Sequence, residues 1–196
     1  LFRLMITPVT LWSESIGFPL LTTLTLIPLV ALCAILCSRT SVLTTRVSYA
    51  AALLNVALSL YLLVKFDDNK TGIQFAEQFS LFSLSYSVGI DGLNILFVPL
   101  IACATLLVLI YISATRTAGN SRLIASVLGY EAILIAVFCA LNVLQFWLLS
   151  ALELLPILLV ARQSGLDQKK RHLLVRLMQY FGASLFLTLS GFLLLA

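Results

Sequence analysis

Long apolar stretches alternate with short polar ones along the chain, and six of them are long enough to cross a membrane as helices. A hydrocarbon core of about 30 Å requires roughly 17–25 helical residues. We predict these helices at Phe18–Cys37, Val47–Val64, Leu93–Ala114, Leu123–Ala140, Val143–Val160 and Leu173–Ala196. The fourth and fifth are separated only by Leu141 and Asn142, which predicts a tight helical hairpin. The pattern is typical of an all-α polytopic membrane protein, with residues 1–196 in a single transmembrane domain.

Three prolines fall inside the predicted helices, at Pro28, Pro99 and Pro156. An interior proline removes a backbone hydrogen bond, so we expect kinks at these positions. In membranes such kinks are tolerated where protein or water covers the defect.

One connection is too long for a turn and too polar to span, and it covers residues 65–92, KFDDNKTGIQFAEQFSLFSLSYSVGIDG. Within it, FSLFSLSYSVGI alternates roughly between polar and apolar positions. Such alternation is typical of a β-hairpin or an interfacial strand. We therefore predict a structured element on the outer surface, between the second and third helices.

The composition excludes an ordinary soluble domain. The chain is 61% hydrophobic and 10% charged, with a mean hydropathy of +1.11, whereas soluble domains carry roughly 25% charged residues. No basic segment with a short apolar run precedes a small-residue cleavage site, so we expect no removable signal peptide. The sequence stops inside the apolar run FLTLSGFLLLA, and we expect the chain to be part of a larger protein whose partners include lipids.

The basic residues are distributed unequally between the two sides that six crossings define. Nine fall on one side and three on the other: Arg39, Arg46, Arg116, Arg122, Arg162, Lys169, Lys170, Arg171 and Arg176 against Arg3, Lys65 and Lys70. Five acids lie on the basic-poor side, at Glu14, Asp67, Asp68, Glu77 and Asp91. The positive-inside rule then places the N-terminus outside and the basic side in the cytoplasm, stroma or matrix. Because the basic residues are scattered over separate loops, the net charge of +4 reports topology and indicates no nucleic acid partner.

Two acids fall inside predicted helices, Glu131 in the fourth and Glu153 in the fifth. A charge at mid-bilayer costs at least ~2.5–3.5 kcal/mol, so such acids are candidates for function. Glu131 lies nine residues from Arg122, and Glu153 lies nine from Arg162, which puts both roughly 13 Å from the basic side. Two carboxyl groups at one depth in a low-dielectric bundle could hold a proton. The alternative is that one or both are permanently neutral hydrogen-bonding groups between helices.

Cysteine and histidine give no sign of a metal or redox centre. The four cysteines, at Cys33, Cys37, Cys103 and Cys139, all lie in apolar stretches, and we interpret them as small core residues. The single histidine, His172, lies in a basic stretch and is interpreted as a solvated loop residue. No spacing among these residues supports zinc, haem or iron–sulfur ligation. We expect no cofactor, no metal and no catalytic residue in this chain.

Four segments in sequence order resemble one family. YSVGIDGLNILFVPL is close to a "GIDGLS" pattern that opens its third helix, and YEAILIAVFCALN is close to its "EAGM…GVF…D" pattern. ALELLPILLV resembles "WELELIPVYLL", and KKRHLLVRLMQYFGASLFL resembles "KKRLYAATKFILYTA". The family is that of the antiporter-like membrane subunits of respiratory complex I and NDH-1, which includes NdhD, NuoM and mitochondrial NADH dehydrogenase subunit 4. FPLLTTLTLIPLVA is similar to the plastid and cyanobacterial version.

The resemblance implies about fourteen helices, of which this chain would supply the first six. It also implies a membrane-arm subunit of an NAD(P)H or ferredoxin:quinone oxidoreductase that couples electron transfer elsewhere to proton translocation. NAD(P)H or ferredoxin, iron–sulfur clusters and quinone would then belong to other subunits, and the other membrane-arm subunits would be partners. The Gly–Ile–Asp–Gly turn would begin the third helix on the outer face, with Asp91 as a helix N-terminal acid, beside a hairpin that links neighbouring subunits. The plastid-like stretch favours a thylakoid membrane over a bacterial plasma membrane or a mitochondrial inner membrane.

The candidate proton-transfer residues are Glu131, Glu153, Arg176 and Asn142, and several of them depart from the family pattern. Glu131 matches its motif. Ala151 occupies the place of the family's coupling glutamate, and Glu153, about 200° further around the helix, matches the second acid of the plastid-type pattern. Arg176 replaces a lysine and can hold charge without passing a proton, and Asn142 replaces an aspartate.

Three hypotheses follow from this pattern. The first is a proton-translocating subunit with Glu131 as its principal acid. The second is a scaffold subunit of the same complex with a degenerate proton path. The third is a cation/proton antiporter subunit of the Mrp kind, which shares this ancestry.

Overall fold

The computed structural model of the chain describes residues 18–38, 40–69, 72–81, 84–115, 121–163 and 168–195. These residues form seven helices and two strands, in the order α1 Leu20–Cys37, α2 Ser41–Lys65, β1 Gln74–Leu81, β2 Leu84–Ile90, α3 Asn94–Ala114, α4 Ser121–Cys139, α5 Val143–Leu152, α6 Leu154–Gln163 and α7 Gln168–Leu195. Six residues named above lie outside the described residues: Arg3, Glu14, Arg39, Lys70, Arg116 and Ala196.

Within the described part of the chain, five helices are long and apolar enough to cross a membrane: α1, α2, α3, α4 and α7. The predicted all-α polytopic class is therefore confirmed, while the number of crossings stays a prediction. Helix α2 begins at Ser41 and α7 at Gln168, several residues before the predicted starts. Hydropathy locates only the apolar part of a helix, whereas backbone hydrogen bonding continues into its basic flank. His172 is consequently an exposed residue of α7, and the prediction of a loop position was wrong.

The predicted fifth helix is broken at Glu153 into α5 and α6. Pro156 has no N–H to donate to the carbonyl of Leu152, the last residue of α5, and its ring crowds that carbonyl. Pro28 and Pro99, by contrast, are buried within the unbroken helices α1 and α3. The predicted helix Val143–Val160 is thus interrupted at one residue, Glu153, and a proline explains the interruption.

Helix α4 lies at the centre of the bundle, where it contacts α1, α2, α3, α5 and α6. Between lipid-embedded helices the association depends on close van der Waals packing rather than on removal of water, so small residues matter at contacts. At Gly129 of α4, an added Cβ would lie 2.8 Å from Cδ1 of Leu32 on α1. Helix α7 docks at the edge, where Trp147 Nε1 of α5 donates to the carbonyl of Leu185 at 2.9 Å.

Cys139 is buried in the core, whereas Cys33, Cys37 and Cys103 are exposed on the surface of the bundle. The interpretation of all four as core residues was therefore wrong for three of them. Their positions follow from helix rotation, which an apolar stretch does not reveal.

The strands β1 and β2 form an antiparallel hairpin between α2 and α3, with Phe79 opposite Tyr86. This confirms the predicted hairpin, although the side of the membrane that it faces stays a prediction. The register shifts between Gln74 and Glu77, and Phe75 in that interval has a φ of +53°. A bulge with one left-handed residue accounts for the shift.

The hairpin is fastened to the helices at both strands. Glu77 of β1 accepts hydrogen bonds from the backbone N–H groups of Leu21 and Thr22 at the start of α1, at 2.7 and 3.0 Å, and from the Thr22 hydroxyl. Ser87 of β2 accepts from the N–H of Leu141 at 3.0 Å, and its own N–H donates to Gln145 Oε1 at 2.9 Å. The hairpin therefore bridges α1 and the α4–α5 connection.

The close approach of β2 to that connection requires a glycine. A Cβ added at Gly89 would lie 2.4 Å from Cγ2 of Ile73 and 2.9 Å from Cδ1 of Leu141. Two residues later, Asp91 Oδ1 accepts from the N–H groups of Leu93 and Asn94 at 3.0 and 2.7 Å. Asp91 thus occupies the predicted place of a helix N-terminal acid, at α3.

Candidate proton-transfer site

The buried acid of the bundle is Glu131, in the middle of α4, with 1% of its surface exposed. Its Oε1 accepts a hydrogen bond from Nδ2 of Asn55 on α2, at 3.0 Å. Asn55 is fully buried. An acid and an amide therefore meet between two membrane-spanning helices.

Two of the four polar side-chain atoms of this pair have no hydrogen-bond partner among the described residues. Oε2 of Glu131 and Oδ1 of Asn55 are buried acceptors without a hydrogen-bond partner among the described residues. A buried unsatisfied polar atom costs about 1–3 kcal/mol, and a charge in the membrane interior costs more. Such a site is retained at a cost in stability, which is typical of functional positions.

Glu153 lies apart from this pair. It is the half-buried residue that joins α5 to α6, and its carboxylate is within electrostatic reach of Tyr130. Tyr130 and Glu131 are neighbours on α4, so their side chains project about 100° apart. The hydrogen-bonded partner of Glu131 is Asn55. Sequence reasoning did not pair these two residues.

The remaining candidates sit at helix ends or on the surface. Asn142 caps α5, since its Oδ1 accepts from the N–H of Leu144 at 2.9 Å. Arg176 is exposed on α7, and Ala151 is half-buried near the end of α5. The structure therefore does not gather the four predicted candidates into one cluster, and their roles in proton transfer stay predictions.

The opposite side of α4 borders an apolar groove of about 610 Å³ between α1, α4, α5 and α6. Ser126, Gly129 and Ile133 of α4 line it, together with Thr22 of α1 and Tyr86 of the hairpin. Glu131 is not part of that lining, because its side chain turns towards α2. The acid–amide pair is therefore separate from the groove.

Sequence reasoning missed Asn55. A signal was present, since an amide inside a predicted membrane-spanning helix is costly and marks a functional candidate as an acid does. The pairing with Glu131, 76 residues later, had no signal in the sequence. It depends on how α2 and α4 are rotated against each other.

No family model matches the chain. Individual relatives do match it. Subunit M of the F420H2 dehydrogenase of Methanosarcina mazei is 26% identical over 150 residues, which are 75% of this chain and 30% of the relative. Subunit M of the NADH-quinone oxidoreductase of Rhodobacter capsulatus is 34% identical over 115 residues, 58% of this chain and 22% of the relative.

Chain 4 of the NADH-ubiquinone oxidoreductase of Arabidopsis thaliana is 29% identical over 128 residues, 63% of this chain and 26% of the relative. The matched part is less than a third of the length of each of these three relatives. These matches confirm the resemblance that the four motifs predicted: the chain is a sequence relative of the subunit M and chain 4 proteins of complex I-type oxidoreductases.

Proposed function

We propose that the chain is part of a membrane-arm subunit of a complex I-type quinone oxidoreductase, in which it couples electron transfer in other subunits to proton translocation. The observation that carries this proposal is the buried pair of Glu131 and Asn55. Glu131 lies on a motif that resembles the family pattern, and the match to subunit M of Methanosarcina mazei covers 75% of the chain. The other membrane-arm subunits would be its partners.

The chemistry of the pair suits proton exchange. A carboxyl group that is secluded from bulk water exchanges protons only through hydrogen-bonded neighbours, and Glu131 has one polar neighbour in place and one unused oxygen. An amide such as Asn55 can donate to the carboxylate and accept from the acid, so it can accompany both protonation states of Glu131.

The electron donor is a separate question. The relatives include an F420H2 dehydrogenase and NADH oxidoreductases, so related membrane subunits occur in enzymes with different donors. Our proposal of NAD(P)H or ferredoxin rests on the sequence resemblance, as does the thylakoid location, whereas the proposed outward-facing N-terminus rests on the unequal distribution of basic residues. None of the three relatives' names refers to a plastid or a cyanobacterium.

A second candidate function is that of a scaffold subunit whose proton path is degenerate. It is favoured by the alanine at position 151 and by the exposed position of Arg176 on α7. In that case Glu131 and Asn55 would be a neutral pair that fixes the contact between α2 and α4.

Glu131→Gln in the full-length protein, assembled in its complex, tests the choice. Proton uptake by native membrane vesicles is measured with a pH-sensitive dye, alongside quinone reduction by the complex's own donor. We expect the number of protons moved per quinone to fall, because glutamine keeps the shape and cannot exchange a proton. Asp68→Asn is the control, since it makes an acid-to-amide change at an exposed position outside the helices and should leave the proton ratio unchanged. An unchanged proton ratio in Glu131→Gln would favour the scaffold function.

A further inference from the structure

We infer that Asn55 and Glu131 form a binding site for one internal water molecule, which bridges Oδ1 of Asn55 and Oε2 of Glu131. Both oxygens are buried acceptors without a hydrogen-bond partner in the described chain. The other two polar atoms of the pair, Nδ2 and Oε1, are joined at 3.0 Å and hold the two side chains together. Two acceptor oxygens, one on each of these hydrogen-bonded side chains, therefore remain for a ligand.

Water fits this requirement because it brings two O–H donors. Buried waters in proteins typically satisfy otherwise unsatisfied polar groups in this way. A hard cation is a poorer match, since calcium and magnesium take roughly six or more oxygen ligands and only two unused oxygens are present here. A second amide or hydroxyl donor would have to come from a neighbouring side chain.

The neighbouring side chains of α2 do not provide that donor. The hydroxyl groups of Ser48 and Ser59, on the same face of α2 as Asn55, donate to backbone carbonyls of their own helix at 2.9 Å. Between Ser48 and Asn55 the buried positions are Ala51 and Ala52. These side chains are small and carry no donor, so they leave the two acceptors to a mobile ligand.

This inference deepens the proposed function and rests on it for its consequence. A bridging water gives Glu131 a neighbour that can accept or release a proton at Oε2, which Asn55 alone does not offer. Asn55 is then a positioning residue, because it holds both the carboxyl group and the water. The approach to Glu131 would run along α2, a helix that contributed no candidate to the sequence-based set.

The experiment is a high-resolution map of the assembled complex in the wild type, in Asn55→Leu and in Ser59→Ala, combined with the proton-to-quinone measurement. Leucine has nearly the shape of asparagine and removes both hydrogen-bonding groups. Ser59→Ala is the matched control, since it removes a buried polar group one turn away that is already satisfied by Val56. We expect water density between the two oxygens in the wild type and in Ser59→Ala, and none in Asn55→Leu.

Proton transport should fall roughly tenfold in Asn55→Leu, as expected for the loss of a hydrogen bond to an ionisable group, and should be unchanged in Ser59→Ala. The inference is overturned if the wild-type map shows Oδ1 and Oε2 in direct contact with no density between them. It is also overturned if density there depends on sodium, or if Asn55→Leu transports protons at the wild-type rate. A dry site together with inactive Glu131→Gln would reject the water and keep the proposed function. Water density between the two oxygens together with a fully active Glu131→Gln would keep the water site and reject the proposed function.

Discussion

Removing the carboxylate of Glu77 should loosen the first turn of α1, because it binds the backbone of Leu21 and Thr22, more than 50 positions away in sequence. Pro19, the residue that precedes α1, provides no side-chain cap. The free N–H groups of Leu21 and Thr22 are instead satisfied by Glu77, which also accepts from the Thr22 hydroxyl. The strand thus supplies the cap that the helix lacks.

The size of the effect can be worked from these contacts. Loss of a helix N-cap typically costs about 0.5–2 kcal/mol, and an acid near the positive end of the helix dipole contributes about 0.3–1 kcal/mol more. A local cost of about 2 kcal/mol for Glu77→Ala is therefore expected, which corresponds to a roughly thirtyfold increase in local opening. The middle of α1 should not respond, because its hydrogen bonds are internal to the helix.

Amide hydrogen exchange of the full-length protein in lipid nanodiscs measures this opening directly. In Glu77→Ala, the amides of Leu21 and Thr22 should exchange roughly thirtyfold faster than in the wild type. Gln78→Ala is the matched control, since it truncates the exposed neighbour on the same strand and should leave both amides unchanged. Exchange in Glu77→Ala within a factor of about three of the wild type would refute the capping argument, because another group would then satisfy these amides.

Two further predictions concern the same hairpin. Gly89→Ala should destabilise the protein by about 1–3 kcal/mol through overpacking, whereas Gly92→Ala, with open space around it, should be nearly neutral; equal thermal unfolding midpoints for the two variants would contradict this. Burial raises the pKa of Tyr86 above its ordinary value of 10.0, with the charge of Glu77 adding to the rise and a hydrogen bond to Thr22 opposing it. The contribution of Tyr86 to stability is therefore full below pH 10.0 and is lost as the pH rises through the folded-state pKa. In an absorbance titration of the folded protein, the difference between the wild type and Tyr86→Phe should be a tyrosine that ionises above pH 10.0.

The sequence by itself determined the features that depend on neighbouring positions. Runs of apolar residues located α1, α3 and α4 to within about two residues, and alternation located the hairpin. The acid between two glycines, Asp91, located the turn that precedes α3. Four motifs in order were sufficient to identify the related proteins, because motif order is a property of the chain and not of its packing.

Only the tertiary structure decided which residues meet. The sequence predicted Glu131 as a candidate because an acid is costly in a membrane, but it did not predict the partner Asn55. Glu153, the other predicted acid, joins two short helices. Glu77 was counted only as a charge on one side, whereas it caps a distant helix. These contacts depend on the rotation and depth of each helix in the bundle. A helix that is apolar on all sides carries little information about either, since lipid and protein neighbours are equally apolar.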